Sequence, residues 1–133
     1  MVAAQKHLIE ISEKLDQGLS FIKDRIVTNG KIDASQENLY QQAIYDLALS
    51  KAEVECALAF LANAGMGSEM DRTLADAFSA QMLRQASQRL SCSDDFGLGG
   101  QGAQLSEEAG AFCSSRLAHS NLAEIGRLIL ERN

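Results

Sequence analysis

Four groups of residues have types and spacings that could do chemistry. Gly97, Gly99 and Gly102 satisfy G-x-G-x-x-G, which cradles a dinucleotide pyrophosphate when it follows a β-strand and opens a helix. The residues before it, Met82 to Leu90, carry helical periodicity instead, so the pattern is no Rossmann fingerprint. Without β-carbons, Gly99 and Gly100 still permit close approach of backbone to a ligand; the plain alternative is a connector. Arg25 has a guanidinium that forks two hydrogen bonds to a phosphate; its plain alternative is a solvated cation at a helix end, where the dipole favours positive charge. His119 has the chemistry of a general base near neutral pH, although a lone histidine ahead of a helix cap is ordinarily just solvated. The three cysteines, Cys56, Cys92 and Cys113, are odd in number and widely spaced, which is neither a disulfide framework nor a metal-ligand set. Cys92 lies between Ser91 and Ser93 and reads as an exposed thiol, with no histidine or basic cluster nearby to activate it. Cys56 and Cys113 fall on apolar helices and read as core. No metal site is expected.

Those residues need elements to position them, and the apolar spacing supplies helices. Leu8, Ile11, Leu15, Leu19, Ile22 and Ile26 recur at steps of three and four, predicting a first helix from about Ala3 to Val27. Asn29 and Gly30 read as its C-terminal stop. Asp33 and Ser35 are candidate caps for a second helix running to about Ala64. Its stripe is read through Leu39, Ala43, Leu47, Val54, Leu58 and Leu61, and its many alanines favour helix and close helix approach. Ser68 caps a third helix, with Asp71 in its first turn and Leu74, Phe78, Met82, Ala86 and Leu90 on its apolar face. A fourth is expected from about Leu105 to Leu117, with Ala109, Phe112 and Cys113 inward. Asn121 opens a short final helix, where Asn121 and Glu124 have capping-box spacing. No segment reads as a strand. The expected fold is all-α: an antiparallel four-helix bundle with a short fifth C-terminal helix.

Composition fits that picture. The chain has 133 residues, which suits one domain over 1–133 with a single core. Proline is absent, in keeping with long uninterrupted helices. A net charge of −6 argues against nucleic-acid binding, which needs a clustered basic surface. No apolar run approaches the roughly 20 residues that span a bilayer, so no membrane partner is expected. Met1 to His7 lacks the basic-then-apolar layout of a signal peptide. With reduced thiols, this makes cytoplasmic the expected location.

The chain closes on Ala118 to Arg132, which resembles the end of the acyl-CoA dehydrogenase family, close to I-Y-E-G-T-S-E-I-Q-R-L-I-I-A-R. Glu124 Ile125, Arg127 Leu128 Ile129 and Arg132 match its helical half. The chemical half is changed: Ser120 stands where the family commonly carries its base glutamate, and Asn121 and Leu122 replace glycine and threonine. Leu15 to Arg25 is similar to the family's L-D-x-x-x-x-Y-A-x-x-R. Ile26 to Lys31 takes the place of x-x-F-G-K, one residue longer and with Asn29 for the phenylalanine. Gln36 to Ala59 looks like the family's second helix of this domain. Gly99 and Gly100 precede Glu124 at about the distance of the family's G-G-x-G element, but R-x-x-R-D is missing after it. The resemblance covers most of the chain, yet only the family's C-terminal helical domain. The N-terminal helical domain and the β-domain, which hold the flavin ring and much of the acyl-CoA site, have no counterpart.

The resemblance implies a stand-alone domain of that type without dehydrogenase activity: a non-catalytic oligomerising bundle, expected as a homotetramer built as a dimer of dimers. It implies no tightly bound cofactor, but weak binding of FAD or CoA through Arg25, Thr28, Gly99, Gly100 and Gln101. By itself Thr28 reads as a turn residue. The alternative is a subunit or fragment of an FAD-dependent acyl-CoA dehydrogenase, with a partner chain supplying the missing flavoprotein domains. A structural four-helix module of unrelated origin is the third reading.

Overall fold

The computed structural model describes residues 2–92, 94–98 and 104–132. Among them are five α-helices: α1 (Ala3–Ile26), α2 (Ala34–Ala64), α3 (Glu69–Ser91), α4 (Glu107–Arg116) and α5 (His119–Glu131). A two-stranded ribbon, β1 (Val27–Thr28) and β2 (Lys31–Ile32), joins α1 to α2, and a 3₁₀ turn spans Asp94–Phe96. The fold is all-α apart from the ribbon.

Local chemistry sets most boundaries. Asp33 caps α2, its carboxylate accepting from the amides of Ser35 and Gln36. Ser68 and Asp71 form a complete reciprocal capping box at α3. Ser106 accepts from the Ala109 amide and so starts α4 just after Leu105. Two boundaries differ from expectation. Asn29 and Gly30 both take positive φ, 52° and 74°. They turn a hairpin in which Val27 pairs with Ile32 and Thr28 with Lys31, as an Asn-Gly type I′ turn does. The helix therefore ends at Ile26 and a short ribbon exists where no strand was expected. The Asn121–Glu124 capping box does not form. Helix α5 begins at His119 with no side-chain cap; Asn121 Nδ2 donates to the Arg116 carbonyl at 2.7 Å, and Glu124 pairs with Arg127.

The core lies where α1, α2, α3 and α4 meet. Leu8, Ile11, Leu15 and Ile22 of α1 pack with Leu47 and Val54 of α2, Leu83 and Leu90 of α3, and Phe112 and Cys113 of α4. The 3₁₀ turn drives Phe96 into the same core beside Gly18; a β-carbon at Gly18 would stand 3.2 Å from Leu47 Cδ2, so glycine permits this approach. Polar ties join α1 to α2, α2 to α3, α3 to α4 and α1 to α4. Lys51 Nζ donates to Ser12 and Asp16 of α1 at 2.7 and 2.8 Å. Arg89 of α3 forks onto Glu53 and also donates to the buried Ser50 at 3.2 Å. Arg116 of α4 meets Asp76 of α3 at 3.2 Å, and Lys6 of α1 meets Glu108 of α4 at 3.0 Å.

Three expected core positions face outward. Leu39 is 72% exposed, because α2 is 31 residues long against 23 and 24 for its neighbours and buries nothing before Ala43. Leu19 lies on the open side of the α1–α2 seam. Cys56 is exposed, while Cys113 is buried as expected and donates to the Ala80 carbonyl at 3.4 Å. Burial pushes the Cys113 thiol above its ordinary value.

Candidate functional site

Ligand contacts were expected at Arg25, Thr28, Gly99, Gly100 and Gln101. Arg25 occupies the last turn of α1, where its guanidinium lies 3.4 Å above the centre of the Phe21 ring and Nη1 donates to the Phe21 carbonyl at 3.3 Å. Stacking fixes the plane of the fork and the carbonyl contact stabilises the helix end. Gly97 packs against the same ring: with φ at +67°, its β-carbon would come within 2.1 Å of Phe21 Cδ2. Phe21 thus ties Arg25 to the residue that leads into the glycine-rich segment. Thr28 is exposed in β1, opposite Lys31. Gly99, Gly100 and Gln101 lie outside the described residues.

A groove of about 400 Å³ follows α1 beside Gly97, Leu98 and the start of α4. His7 lines it, only 4% exposed, tilted against the Phe112 ring at 5.7 Å with Nδ1 3.4 Å from Glu10 Oε2. A carboxylate beside an imidazole can orient a base, but a base needs something to act on. Among the described residues lining the groove the hydroxyl is that of Ser106, whose oxygen accepts from the Ala109 amide at 3.1 Å. Lys14 Nζ donates to the Gln104 carbonyl at 2.8 Å. At the same seam Lys6, by hydrogen bond and charge, holds the Glu108 carboxyl below its ordinary range, and Glu108 raises Lys6 in return. The Lys6–Glu108 pair ties α1 to α4, and Lys14 ties α1 to the segment just before α4. Among the described residues no three His, Cys, Asp or Glu side chains gather as a metal site. No described helix is long and apolar enough to cross a membrane.

His119 and Ser120, around the family's base position, are exposed in the first turn of α5. Neither is enclosed by a pocket wall among the cavities found. Cys92 is exposed at the end of α3.

The feature that sequence reasoning missed is the outward face of α2. Its inward stripe runs Ala43, Leu47, Ser50, Val54, Ala57 and Ala64. On the opposite side Tyr45, Ala48, Ala52, Ala59 and Ala62 are exposed, with Glu55 among them. A helix that covers one face normally turns charge to water on the other; α2 is apolar on both. Beside this face, between α1 and α2, opens a mainly apolar groove of about 340 Å³ with Leu15, Leu19, Ile44 and Leu47 in its lining and Asp16, Lys51 and Glu55 at its edge. The signal of this face in the sequence is a second 3–4 spacing, Tyr45, Ala48, Ala52, Glu55, Ala59 and Ala62, offset from the inward one.

Comparison of the chain with protein-family models, with curated proteins and with solved structures returns no match.

Proposed function

We propose that this chain is a helical assembly module of the acyl-CoA dehydrogenase C-terminal type. In this reading α1 to α4 form an up-and-down antiparallel four-helix bundle, α5 packs on α3 and α4, and copies associate without turning over substrate. The observation that carries it is the exposed apolar face of α2. Exposed apolar patches on a soluble domain mark contact surfaces, and a helix apolar on two faces is stable when both are covered. Supporting it on the chemical side, Ser120 replaces the family's base, and a serine hydroxyl takes no α-proton near neutral pH without an activating base.

Light scattering on the purified chain at micromolar concentration tests the assembly. The expected mass is a multiple of the 14.4 kDa chain, fourfold for the homotetramer; a stable monomer overturns the reading. Adding FAD, an artificial electron acceptor and a panel of acyl-CoA thioesters tests the chemistry. No turnover is expected. Turnover abolished by Ser120→Ala or His119→Ala would make the chain an enzyme.

A second reading, in which the chain serves a flavoprotein and its Arg25 end touches FAD or CoA, is favoured by one contact. Phe21 holds the Arg25 fork and Gly97 together, so a cation of the kind that forks onto a phosphate lies close to Gly97. Binding to the chain as given is expected in the range of about micromolar to millimolar. Calorimetric titration of FAD, ADP and CoA against the chain and Arg25→Ala decides it. Weaker binding to the variant supports the contact; equal binding, or none, returns Arg25 to a helix-end role.

A further inference from the structure

The outward stripe of α2 has the spacing of a helix seam that a second copy can fill. Tyr45, Ala48, Ala52, Glu55, Ala59 and Ala62 are separated by steps of three, four, three, four and three, a series that reads the same from either end. Steps of this kind form the seam of paired helices. A seam of this spacing can meet a second copy of itself running in the opposite direction about a twofold axis, and the charges of Glu55 and Lys51 select that partner. We propose that α2 pairs with α2 of a second copy of this chain, antiparallel, about an axis that passes between the two helices at the level midway between Glu53 and Val54. This inference rests on the assembly reading above.

In that register Tyr45 lies opposite Ala62 of the second copy, Ala48 opposite Ala59, and Ala52 opposite Glu55. The one bulky ring thus meets a methyl group, Ala48 and Ala59 meet small against small, and at the centre Ala52 leaves room for the Glu55 side chain. The second copy also runs along the mouth of the α1–α2 groove and covers Leu19 and Ile44.

Charge complementarity in this register is what favours a second copy over another helix. Glu55 interrupts the apolar stripe and makes no hydrogen bond or ion pair among the described residues. A lone carboxylate in a closing seam is costly unless a cation meets it. Lys51, held at the seam's edge by Asp16 and Ser12, falls one position from the level of Glu55 of the second copy. The twofold axis makes this contact twice, so the chain supplies its own counter-charge. An unrelated acidic or apolar partner helix would leave Glu55 unanswered.

Cysteine pairing in the full chain tests the register, with Cys56→Ser and Cys92→Ser in every sample to remove exposed thiols. Mild oxidation of Ala52→Cys chains mixed with Glu55→Cys chains is expected to give cross-linked heterodimers on non-reducing gels, as is mixing Ala48→Cys with Ala59→Cys. Ala48→Cys mixed with Ala52→Cys, two turns out of register, is expected to give none. In parallel, Glu55→Lys sets like charges together twice and should raise the dimer dissociation constant by about tenfold or more, whereas Glu55→Ala should keep association intact. Circular dichroism confirms that each variant is folded. An associated protein that cross-links only in the control pair, or ignores Glu55→Lys, overturns the register while leaving assembly standing. A monomer in every sample overturns both.

Discussion

Phe21 shows how much one side chain can organise. Its ring takes the Arg25 guanidinium at 3.4 Å and leaves Gly97 no room for a β-carbon, at a φ of +67°. Gly97→Ala therefore meets backbone strain and a clash together and is expected to lose about 2 kcal/mol or more in denaturant unfolding. Gly110→Ala is the control: that glycine sits in α4 with nothing within 4 Å of a β-carbon, and alanine there should gain about 0.5–1 kcal/mol from helix propensity. The cap carboxylates give a pH signature. Ser35 and two amides lower Asp33, and the Ser68 hydroxyl and amide lower Asp71, both from an ordinary 3.8. A group held lower in the folded state stabilises the fold above its unfolded value and loses that contribution as pH falls through its folded value. Thermal midpoints should thus be level down to about pH 4 and then fall. Asp71→Asn should flatten part of that slope; an unchanged slope would remove Asp71 from the account.

Helices were legible in the chain wherever a local signal fixed them. Asp33, Ser68 and Ser106 each carry a cap that depends only on neighbours, so those starts follow from short-range chemistry. Ser68→Ala breaks the most complete of them and should cost about 1 kcal/mol, read as a lower denaturant midpoint at constant slope. Where two local outcomes compete, the sequence alone is insufficient. Asn-Gly ends a helix or turns a hairpin, and here Asp33 N bonding back to the Ile26 carbonyl at 2.7 Å closes the hairpin. Asn121 can cap the helix ahead of it or the one behind, and a free carbonyl at Arg116 claims it. Helix α2 posed the hardest case. Both of its faces repeat at three and four, so periodicity announces a helix without saying which side is inside. Only contacts distant in sequence, such as Arg89 with Ser50 and Glu53, decide that Val54 points in and Cys56 points out. The ligand residues were less legible still, because Arg25 and Thr28 came from resemblance and no spacing fixes what they touch.

At the scale of the whole molecule, a tetramer built as a dimer of dimers requires two different self-contacting faces on one chain. In the proposed assembly the α2 stripe is one. Helix α5 offers the other: of its 13 residues only Ile125 is buried, while Leu122, Ile129 and Leu130 stand exposed, Leu130 at 76%. It packs on α3 and α4 rather than on α2, so the two faces belong to separate parts of the fold and can be occupied at once. Disrupting one should leave the other working. Ile129→Glu puts a carboxylate on the α5 face without touching the buried core, and burying an unpaired charge in an apolar contact is strongly unfavourable. Sedimentation velocity should then show the tetramer replaced by a dimer that still responds to Glu55→Lys, and the double variant should run as a monomer. If Ile129→Glu leaves the tetramer whole, α5 is not the second interface. A tetramer that falls straight to monomer in the single variant would instead mean that both contacts run through α5, and the twofold seam on α2 would have to be given up.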